Sequence, residues 1–548
     1  MTESDELLNR DEGVPPADSA AGRPLSRRGV IAGSVGGLAA LGLAGLVGYE
    51  LPHTPKPQTI TNSQFHQFTE VRTFLTRPDL RPPSVTFTTF FTNESRYFDA
   101  AHPRFIFLTP RSISQLLHNL GANLVPSQIV SAPSQPGLMI LDRLGKLVYF
   151  KPMLTDNPFD FNMQADMGQP RLTWWHGQIL VGHGNGVGEV ADGTYTTIDS
   201  VKAGNGLMTD CHELSLTGHG TALISAYQET TTDLSILGGA TKAKVWAGHV
   251  QEIDLTTGQI VFDWNSLDHV GVEESYTGRP SSKDVAYDYF HINSVKETPD
   301  GNLIVCARNT WALYKVNRAT GKVMWRFNGK KSDFVMGPGT KFFWQHDARM
   351  PDANTITLFD DGGWPTEEKQ ARGLVILVDT KKMSATLKRA YVHPAAFISA
   401  TQGSMELMPD GRVLVGWGNQ GYFTEFAPDG AMVFDGQFPP RVCSYRAFTH
   451  DWIGTPTDLP AVLVRPNSSG GSVVYVSWNG ATEVTQWQVL AGKSATTLKV
   501  IGSQEWTGFE TAIAVSATGP YFRVVAKDKN GAELSLSEVA RLNEKTIA

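Results

Sequence analysis

The sequence predicts an all-β chain, in which a six-bladed β-propeller is followed by a small β-sandwich. Apolar strands recur around Gly-containing turns, the 548 residues include 53 Gly and 31 Pro, and the pattern changes after Pro460. Many short strands separated by such turns are typical of propellers and sandwiches. We therefore expect a leader over residues 1–61, a propeller over residues 62–459 and a sandwich over residues 460–548.

The clearest repeat is a strand, a Pro-Asp-Gly turn and a second strand, over Asn293–Val305 and again over Met405–Val415. A hairpin with its own Gly turn follows, as in Asp254–Phe262. Two hairpins make a four-stranded sheet, and a closed ring of such sheets protects their edges. Five blades are predicted to start near residues 171, 212, 291, 346 and 404. Residues 445–452, with strands around 85–108 and 137–150, are expected to supply the sixth.

The C-terminal residues form a separate pattern of alternating strands, around residues 473–479, 484–489 and 521–528. Turns with Gly and Asn separate these strands. About eighty residues of this kind predict a sandwich of the fibronectin type III type. We expect this part to act in packing or spacing.

The N-terminus carries the features of an export signal. Arg27 and Arg28 precede the uncharged run Gly29–Gly48. Paired arginines before a mildly apolar run indicate the twin-arginine route. Because about twenty apolar residues can span a bilayer and no clear cleavage site follows, residues 29–48 could also remain as a membrane anchor, with residues 49–62 as a stalk. We expect the folded part outside the cytoplasm, secreted or anchored to the membrane.

Composition excludes some partners. The net charge is −7 and no basic stripe is present, so nucleic acid is not an expected partner, since phosphate contacts dominate that affinity. Cys211, Cys306 and Cys443 are too few for a disulfide framework and lack metal-binding spacing. Buried free thiols are the expected state of these cysteines.

Three histidines stand at the heads of three repeats: His212, His291 and His346, separated by 79 and 55 residues. Equivalent positions in successive blades lie around one ring. If the heads of the inner strands face the axis, the three imidazoles converge on the central channel. Arg308 ends the strand pair that begins at His291 and would add a permanent cation there.

This combination of residues favours an anion over a metal ion. Three histidines could bind a metal, but a neighbouring arginine and the lack of an obvious carboxylate argue against it, so we expect neither metal nor cofactor. Fixed donors stabilise the spread negative charge of a sulfuryl or phosphoryl group in transfer. One neutral histidine can act as nucleophile, and a second can act as acid or base.

Several motifs in this region resemble the bacterial and fungal arylsulfotransferase family. The resemblance runs from about residue 74 to residue 460 and is most specific in an ordered series of segments: Phe290–Val295, Ala307–Thr310, Gly329–Phe334 and Gln345–Arg349. It implies a six-bladed propeller. It also implies transfer of sulfate from one phenol to another without a nucleotide sulfate donor.

The resemblance also assigns roles to the candidate residues. His346 matches the family's nucleophilic histidine, which becomes sulfated, whereas His212, His291 and Arg308 match residues that bind the sulfuryl group and help proton transfer. The implied partners are a small aryl sulfate donor and a phenolic acceptor.

Further residues are candidates for substrate binding. Asn293 lies in the first of these motifs, Trp344 could line an aryl pocket, and Lys330 could flank the channel mouth. Asp347 either tunes the His346 imidazole or caps a turn.

Two other functions stay open at this point. One is a non-catalytic cell-surface propeller that binds a ligand or a wall component. The other is a quinone- or metal-dependent propeller oxidoreductase, because the phrase Thr320–Trp325 also recurs in such enzymes.

Overall fold

The computed structural model describes residues 71–90, 104–112 and 133–546, apart from residues 283, 364, 518, 543 and 544. The leader, the paired arginines and the stalk predicted for residues 1–62 lie outside these residues. In the part that is described, no helix is both long and apolar enough to cross a membrane.

The all-β prediction is confirmed, because the described chain is built from strands and short turns. Its helical elements are single 3-10 turns at Ser235–Leu237, Ser266–Asp268, Val272–Glu274 and Gly418–Gln420. The strands of the first part, numbered along the chain, are β1 (Thr86–Thr89), β2 (Arg104–Ser112), β3 (Gly137–Leu141), β4 (Leu147–Pro152), β5 (Asn157–Asp166), β6 (Gln169–Leu180), β7 (His183–Ala191), β8 (Thr197–Val201), β9 (Met208–Leu216), β10 (Thr221–Thr232), β11 (Ala243–Asp254), β12 (Ile260–Asn265), β13 (Ile292–Glu297), β14 (Leu303–Ala307), β15 (Ala312–Val316), β16 (Val323–Asn328), β17 (Val335–Met336), β18 (His346–Asp352), β19 (Thr355–Asp360), β20 (Arg372–Asp379), β21 (Ser384–Tyr391), β22 (Ser404–Leu407), β23 (Val413–Gly416), β24 (Tyr422–Phe426), β25 (Met432–Gln437) and β26 (Val442–Asp451).

These strands form six sheets of four or five strands each. Their orders are β26-β2-β3-β4, β5-β6-β7-β8, β9-β10-β11-β12, β13-β14-β15-β16, β18-β19-β20-β21-β17 and β22-β23-β24-β25-β1. The first strand of each order contacts the first strand of the next sheet, and β22 contacts β26. The sheets therefore close a ring whose inner wall is made of β26, β5, β9, β13, β18 and β22.

The closing sheet combines the two ends of the ring. Strand β26 pairs antiparallel with β2, from Arg104 opposite Asp451 to Ser112 opposite Val442. The expected partnership of residues 445–452 with N-terminal strands is present in this sheet. Because the two strands are far apart in sequence, their pairing fixes both ends of the ring.

Two expectations about the sheets are wrong. The first complete sheet starts at β5, and residue 171 falls in its second strand, β6. The inner strand β5 is not followed by the Pro-Asp-Gly turn motif that identifies the first hairpin of two other sheets. Residues Thr86–Thr89 do not join the closing sheet but pair with β25, at Thr86 opposite Gln437. There they cover the outer edge of a sheet, which would otherwise expose unpaired backbone groups.

Apolar side chains fill the spaces between neighbouring sheets. Leu223 and Val250 of one sheet pack in one cluster with Ile292 and Tyr314 of the next. Since each sheet packs on both faces, strands such as β14 are buried at every residue. Burying one large apolar side chain stabilises the fold by roughly 1.5–3 kcal/mol. The three cysteines are free and buried, as expected.

The residues after the ring form a two-sheet sandwich around buried Trp487 and Phe522. Its sheets are built from β27 (Ala461–Pro466), β28 (Ser472–Ser477), β29 (Gln486–Gly492), β30 (Lys499–Glu505), β31 (Glu510–Val515), β32 (Tyr521–Lys527), β33 (Glu533–Leu536), β34 (Ala540–Arg541) and β35 (Lys545–Thr546). Their orders are β31-β28-β27-β35 and β30-β29-β32-β33, with β34 beside β32. The fibronectin type III type and the domain boundaries stay predictions.

Candidate active site

The structure brings the predicted histidines together on inner strands, with His291 and His346 at strand heads and His212 in the middle of its strand. His212 lies on β9, His291 directly precedes β13, and His346 opens β18. The ring centroids of His212 and His291 are 4.9 Å apart, with the rings at 75°. His212 and His346 are buried, and His291 is nearly so. Three separate sheets thus contribute one imidazole each to the same site.

Each of these imidazoles has a carboxylate beside its Nδ1. The distances are 2.6 Å from His212 to Asp210, 2.5 Å from His291 to Asp288 and 3.1 Å from His346 to Asp361. These three carboxylates are not among the residues predicted from the sequence. Asp210 and Asp288 stand within three residues of their histidines and could have been found from that spacing. Asp361 could not have been found from spacing, because it is 15 residues away and only the β18–β19 hairpin brings it beside His346.

The carboxylates beside His212 and His291 are ionised. Burial acts to raise the pKa of Asp288, but His291 and His183 outweigh it and lower that pKa to about 2. Burial also opposes ionisation of Asp210, whereas His212 and several hydrogen bonds bring its pKa well below the usual value. An ionised carboxylate at Nδ1 stabilises a proton on the ring and fixes the ring's orientation.

His346 is held in its neutral form. Burial, followed by Arg308, His212 and His291, lowers the pKa of this imidazole well below 6.5. Its Nε2 accepts the backbone N–H of Gln402 at 3.3 Å. Because Nε2 accepts this hydrogen bond, the ring proton is on Nδ1, facing Asp361. The lone pair of His346 is therefore on Nε2.

Arg308 supplies a cation that has no carboxylate within ion-pair distance in the described part of the chain, although Asp361 and Asp288 act on its charge from farther away. Its guanidinium donates to Ala400 O at 3.1 Å and to Asn309 Oδ1 at 3.2 Å. It also lies 4.8 Å from the centroid of the Trp344 ring. Its Nε has no partner among the described residues. Burial lowers the pKa of Arg308, but an arginine stays charged in proteins.

Two of the three predicted substrate-binding residues have structural partners in the site region. Asn293 is fully buried and donates from Nδ2 to Gln345 O at 2.6 Å, while its Oδ1 has no partner within the described residues. Trp344 is buried, and its Nε1 donates to Pro365 O at 3.0 Å. Its ring faces the Arg308 guanidinium, so this tryptophan borders the site.

The third, Lys330, lies at the far end of a row of aromatic rings. Its Nζ donates to Ser275 O at 2.5 Å and lies 4.9 Å from the Tyr276 ring centroid. Tyr276 stacks on Trp311 at 3.5 Å, and Trp311 meets Trp344 edge-on at 5.2 Å. We call Trp344, Trp311 and Tyr276 the aromatic wall. It runs from Arg308 to Lys330 and offers flat apolar surface to an aryl group.

Asp347 does not tune His346. Its Oδ2 accepts the backbone N–H of Met405 at 3.0 Å, and its Oδ1 pairs with Arg349 and lies 3.6 Å from Arg446 Nε. The side chain of Asp347 thus belongs to a buried charge network along the inner wall. The expectation that this residue could tune the nucleophile is wrong, and Asp361 occupies that position.

Two clusters near the site have donor atoms close enough for a metal ion. They are His183 with Asp288 and His291, and Asp210 with Cys211 and His212, each with its donor atoms within 4.8 Å of one another. In both clusters a carboxylate already hydrogen-bonds the Nδ1 of a histidine. His183 is fully buried, and burial lowers its pKa to about 4.

Comparison with known proteins identifies one family. The model of the family described as arylsulfotransferase (ASST) matches residues 162–439, just over half of the chain. The matched range contains His212, His291, Arg308 and His346. Among curated proteins no sequence matches the chain.

Solved structures offer only distant likenesses. A protein of unknown function from Bacteroides caccae has 9% identity and a TM-score of 0.37, over 64% of this chain and 99% of that chain. A protein from Lactobacillus plantarum has 14% identity and a TM-score of 0.33, over 81% and 98%. A virginiamycin B lyase from Staphylococcus aureus, with quinupristin, has 10% identity and a TM-score of 0.25, over 70% and 95%. At these values the likeness carries no argument about function.

Proposed function

This chain belongs to the arylsulfotransferase family, and on that premise we propose that it moves a sulfuryl group from an aryl sulfate to a phenol through a sulfated His346. The family match supports arylsulfotransferase activity in general. The ping-pong route through His346 is the finer part of the proposal. It needs no nucleotide sulfate donor and no cofactor.

One observation carries the proposal: a neutral imidazole, whose Nε2 lone pair accepts a long 3.3 Å hydrogen bond from Gln402 N–H, lies near an arginine that makes no ion pair within the described residues. Burial and Arg308 keep the pKa of His346 well below 6.5, so the ring is an uncharged nucleophile at neutral pH. The same arginine attracts the negative charge of a sulfate ester. A nucleophile and an anion-binding group therefore occupy one buried site.

In the first step, His346 Nε2 attacks the sulfur of the aryl sulfate. An N–S bond forms, and the bond between sulfur and the aryl oxygen breaks with its electron pair on oxygen. A protonated imidazole gives this oxygen a proton, so a phenol leaves. The positive charge that develops on the sulfated ring faces Asp361 at Nδ1.

In the second step, the acceptor phenol attacks the sulfur and returns a proton to the imidazole that lost one. The N–S electron pair goes back to His346. The net reaction exchanges the sulfuryl group between two phenols and needs no further reactant. The aromatic wall offers both aryl rings a surface next to Arg308.

His212 and His291 are placed to carry the proton in both steps. Each has an ionised aspartate at Nδ1 that stabilises the protonated ring. The two rings lie 4.9 Å apart, and both act on the charge of His346, which supports a role for them beside the nucleophile. We further propose an extracytoplasmic setting, which is supported by the paired arginines and the apolar run of residues 29–48.

The experiment is intact-protein mass spectrometry after brief incubation with p-nitrophenyl sulfate and no acceptor, under mildly alkaline conditions that preserve an N–S bond. Wild type is expected to gain one sulfuryl group, about 80 Da, and to release nitrophenol. His346→Ala is expected to do neither. Because the pKa of His346 is far below 6.5, the rate of adduct formation should not decline through loss of its lone pair between pH 8 and 6.5.

The matched control is His249→Ala, which removes another histidine paired with an aspartate, Asp263 at 3.0 Å, and should keep the adduct. An adduct of equal yield in His346→Ala would contradict the nucleophile. A folded wild type that neither gains mass nor releases phenol from a panel of aryl sulfates would contradict the proposed function.

A further inference from the structure

Arg111, at the end of β2, is a buried arginine without an ion pair. It is 5% exposed, and its guanidinium carbon lies 3.5 Å from the Phe159 ring centroid. Its Nη2 donates to Gln402 Oε1 at 2.7 Å, whereas its Nε has no partner among the described residues. Across the described ranges, no carboxylate lies within ion-pair distance of it.

Two other buried arginines of the ring, Arg446 and Arg143, are neutralised by carboxylates. Arg446 lies 2.7 Å from Asp160, and Arg143 lies 2.6 Å from Glu425. The groups that act on the charge of Arg111 are chiefly Cys443 and Cys211. Burial raises the pKa of both thiols, so neither supplies a negative charge. A buried cation without a counterion is costly, and an arriving anion would remove that cost.

Gln402 connects Arg111 to His346. The side chain of Gln402 is held by Arg111, and its backbone N–H points at His346 Nε2, 3.3 Å away. Two residues earlier, Ala400 O accepts from Arg308. The segment 400–402 is therefore held between two guanidinium groups that lack carboxylate partners.

The backbone at Gln402 is unusual for this residue type. Its φ is +69°, in the left-handed region that non-glycine residues adopt only at a cost. The hydrogen bonds to Arg111 and His346 hold the residue in this conformation. The strained backbone aims an N–H at the atom that is proposed to become sulfated.

We propose that the segment 400–402 is the part of the site that binds the sulfuryl oxygens, with Gln402 N–H as the donor and Arg111 as a positioning residue. This inference rests on the proposed function. Once sulfur is bonded to Nε2, the Gln402 N–H that Nε2 had accepted is released to donate to a sulfuryl oxygen. Arg308 then balances the charge of the group, while Arg111 holds the Gln402 side chain in place. The expected ligand class is a tetrahedral oxyanion with one open position, such as a sulfate monoester.

Binding is tested with inorganic sulfate as the probe, by thermal unfolding at constant ionic strength. Sulfate should raise the Tm of wild type, because a ligand that binds only the folded state stabilises it. Gln402→Glu gives Arg111 a carboxylate partner. It should be at least as stable as wild type without sulfate and should lose the sulfate-dependent rise in Tm. Gln488→Glu, which adds the same charge on β29 of the sandwich, should keep the rise.

A second variant separates positioning from packing. Arg111→Met keeps an apolar stem over Phe159 but no longer holds the Gln402 side chain. It should lower the rate of His346 sulfation by about 100-fold, the scale for losing one donor to the transferred group, because the Gln402 N–H loses its position. Arg111→Lys should restore part of this rate. Arg412→Met is the control, because it removes a different arginine. Its partner Glu425 still pairs with Arg143, so the rate of His346 sulfation should stay that of wild type.

The outcomes distinguish this inference from the proposed function. Sulfation at the wild-type rate in both Arg111→Met and Gln402→Glu overturns the inference and leaves the function intact. A rise in Tm that persists in both variants also overturns it. If sulfate stabilises wild type but neither variant, while no adduct forms from any aryl sulfate, the oxyanion site stands and the function fails.

Discussion

At His346 the two ring nitrogens have different partners, and that difference decides the chemistry. Nδ1 faces Asp361, and Nε2 accepts from Gln402. Burial, only partly opposed by Arg308, raises the pKa of Asp361 well above its usual value. The carboxyl group accepts a hydrogen bond from Nδ1–H and thereby keeps the lone pair on Nε2, where it faces the Gln402 N–H. Asp361 is thus a positioning residue for the nucleophile.

Asp361→Asn should keep the shape of the site and lose the nucleophile. An amide can donate to Nδ1 and shift the ring proton to Nε2, where it blocks attack on sulfur. We expect the rate of His346 sulfation to fall by at least about 100-fold, as expected when the ring tautomer is wrong. The rate is measured by intact mass against time. Asp263→Asn, at the His249 pair, should leave it unchanged, and an unaltered rate in Asp361→Asn would contradict this role.

At the scale of elements, the sequence predicts features that arise from neighbouring residues and misses contacts between residues far apart in the chain. The hairpins and the strand heads at His291 and His346 follow from a repeated motif, and the structure has them where they are expected. The prediction for His212 is wrong in this respect, because β9 begins four residues earlier. Strand β5 lacks that motif, so the sequence predicts the start of its sheet near residue 171, in the second strand instead of the first. Asp361, Gln402 and Arg111 reach His346 from a returning hairpin or from other sheets, and no spacing in the sequence indicates such contacts.

Gly184 shows how closely two elements approach beside the site. A Cβ at this residue of β7 would lie 2.4 Å from the backbone N of Cys211 on β9. Its N–H donates to Asp210 Oδ1 at 2.6 Å, and Asp210 in turn orients His212. The fit between β7 and β9 therefore supports one of the proton-carrying histidines.

Gly184→Ala should push β7 away from β9 and destabilise the protein by about 1–3 kcal/mol, the usual cost of overpacking. Sulfation should slow as well, because Asp210 loses a donor. Guanidinium denaturation measures the free energy of unfolding. Gly278→Ala is the control, since a Cβ there meets nothing within 4 Å, and it should change stability by less than about 0.5 kcal/mol. Equal stability of the two variants would contradict the close approach.

At the scale of the whole molecule, one side chain of the last ring strand joins several sheets. Arg446 on β26 pairs with Asp160 on β5 at 2.7 Å and with Glu213 on β9 at 3.1 Å. It also donates to Asn293 O on β13 at 2.7 Å. These contacts cross the interior of the ring. Loss of these contacts would therefore weaken the packing of four inner strands together, β26, β5, β9 and β13.

Arg446→Met should lower the free energy of unfolding by about 3–5 kcal/mol, because it leaves buried carboxylates without their main cation. The double variant Arg446→Met/Asp160→Asn should recover part of this loss, since the most dependent carboxylate is gone. Denaturation by guanidinium, followed by tryptophan fluorescence, checks both values. A loss below about 1 kcal/mol in the single variant would contradict a role for Arg446 in holding the ring together.

The pairing of β2 with β26 also sets an order on biosynthesis. A ribosome releases β2 hundreds of residues before β26. The first sheet therefore stays incomplete, with one edge of β2 unpaired, while the other sheets form. Arg111 lies on that unpaired strand, and Gln402 is made 291 residues later, so its link to His346 cannot form before then. A nascent chain that stops between His346 and Val442 carries all three histidines and still lacks the strand that closes the ring.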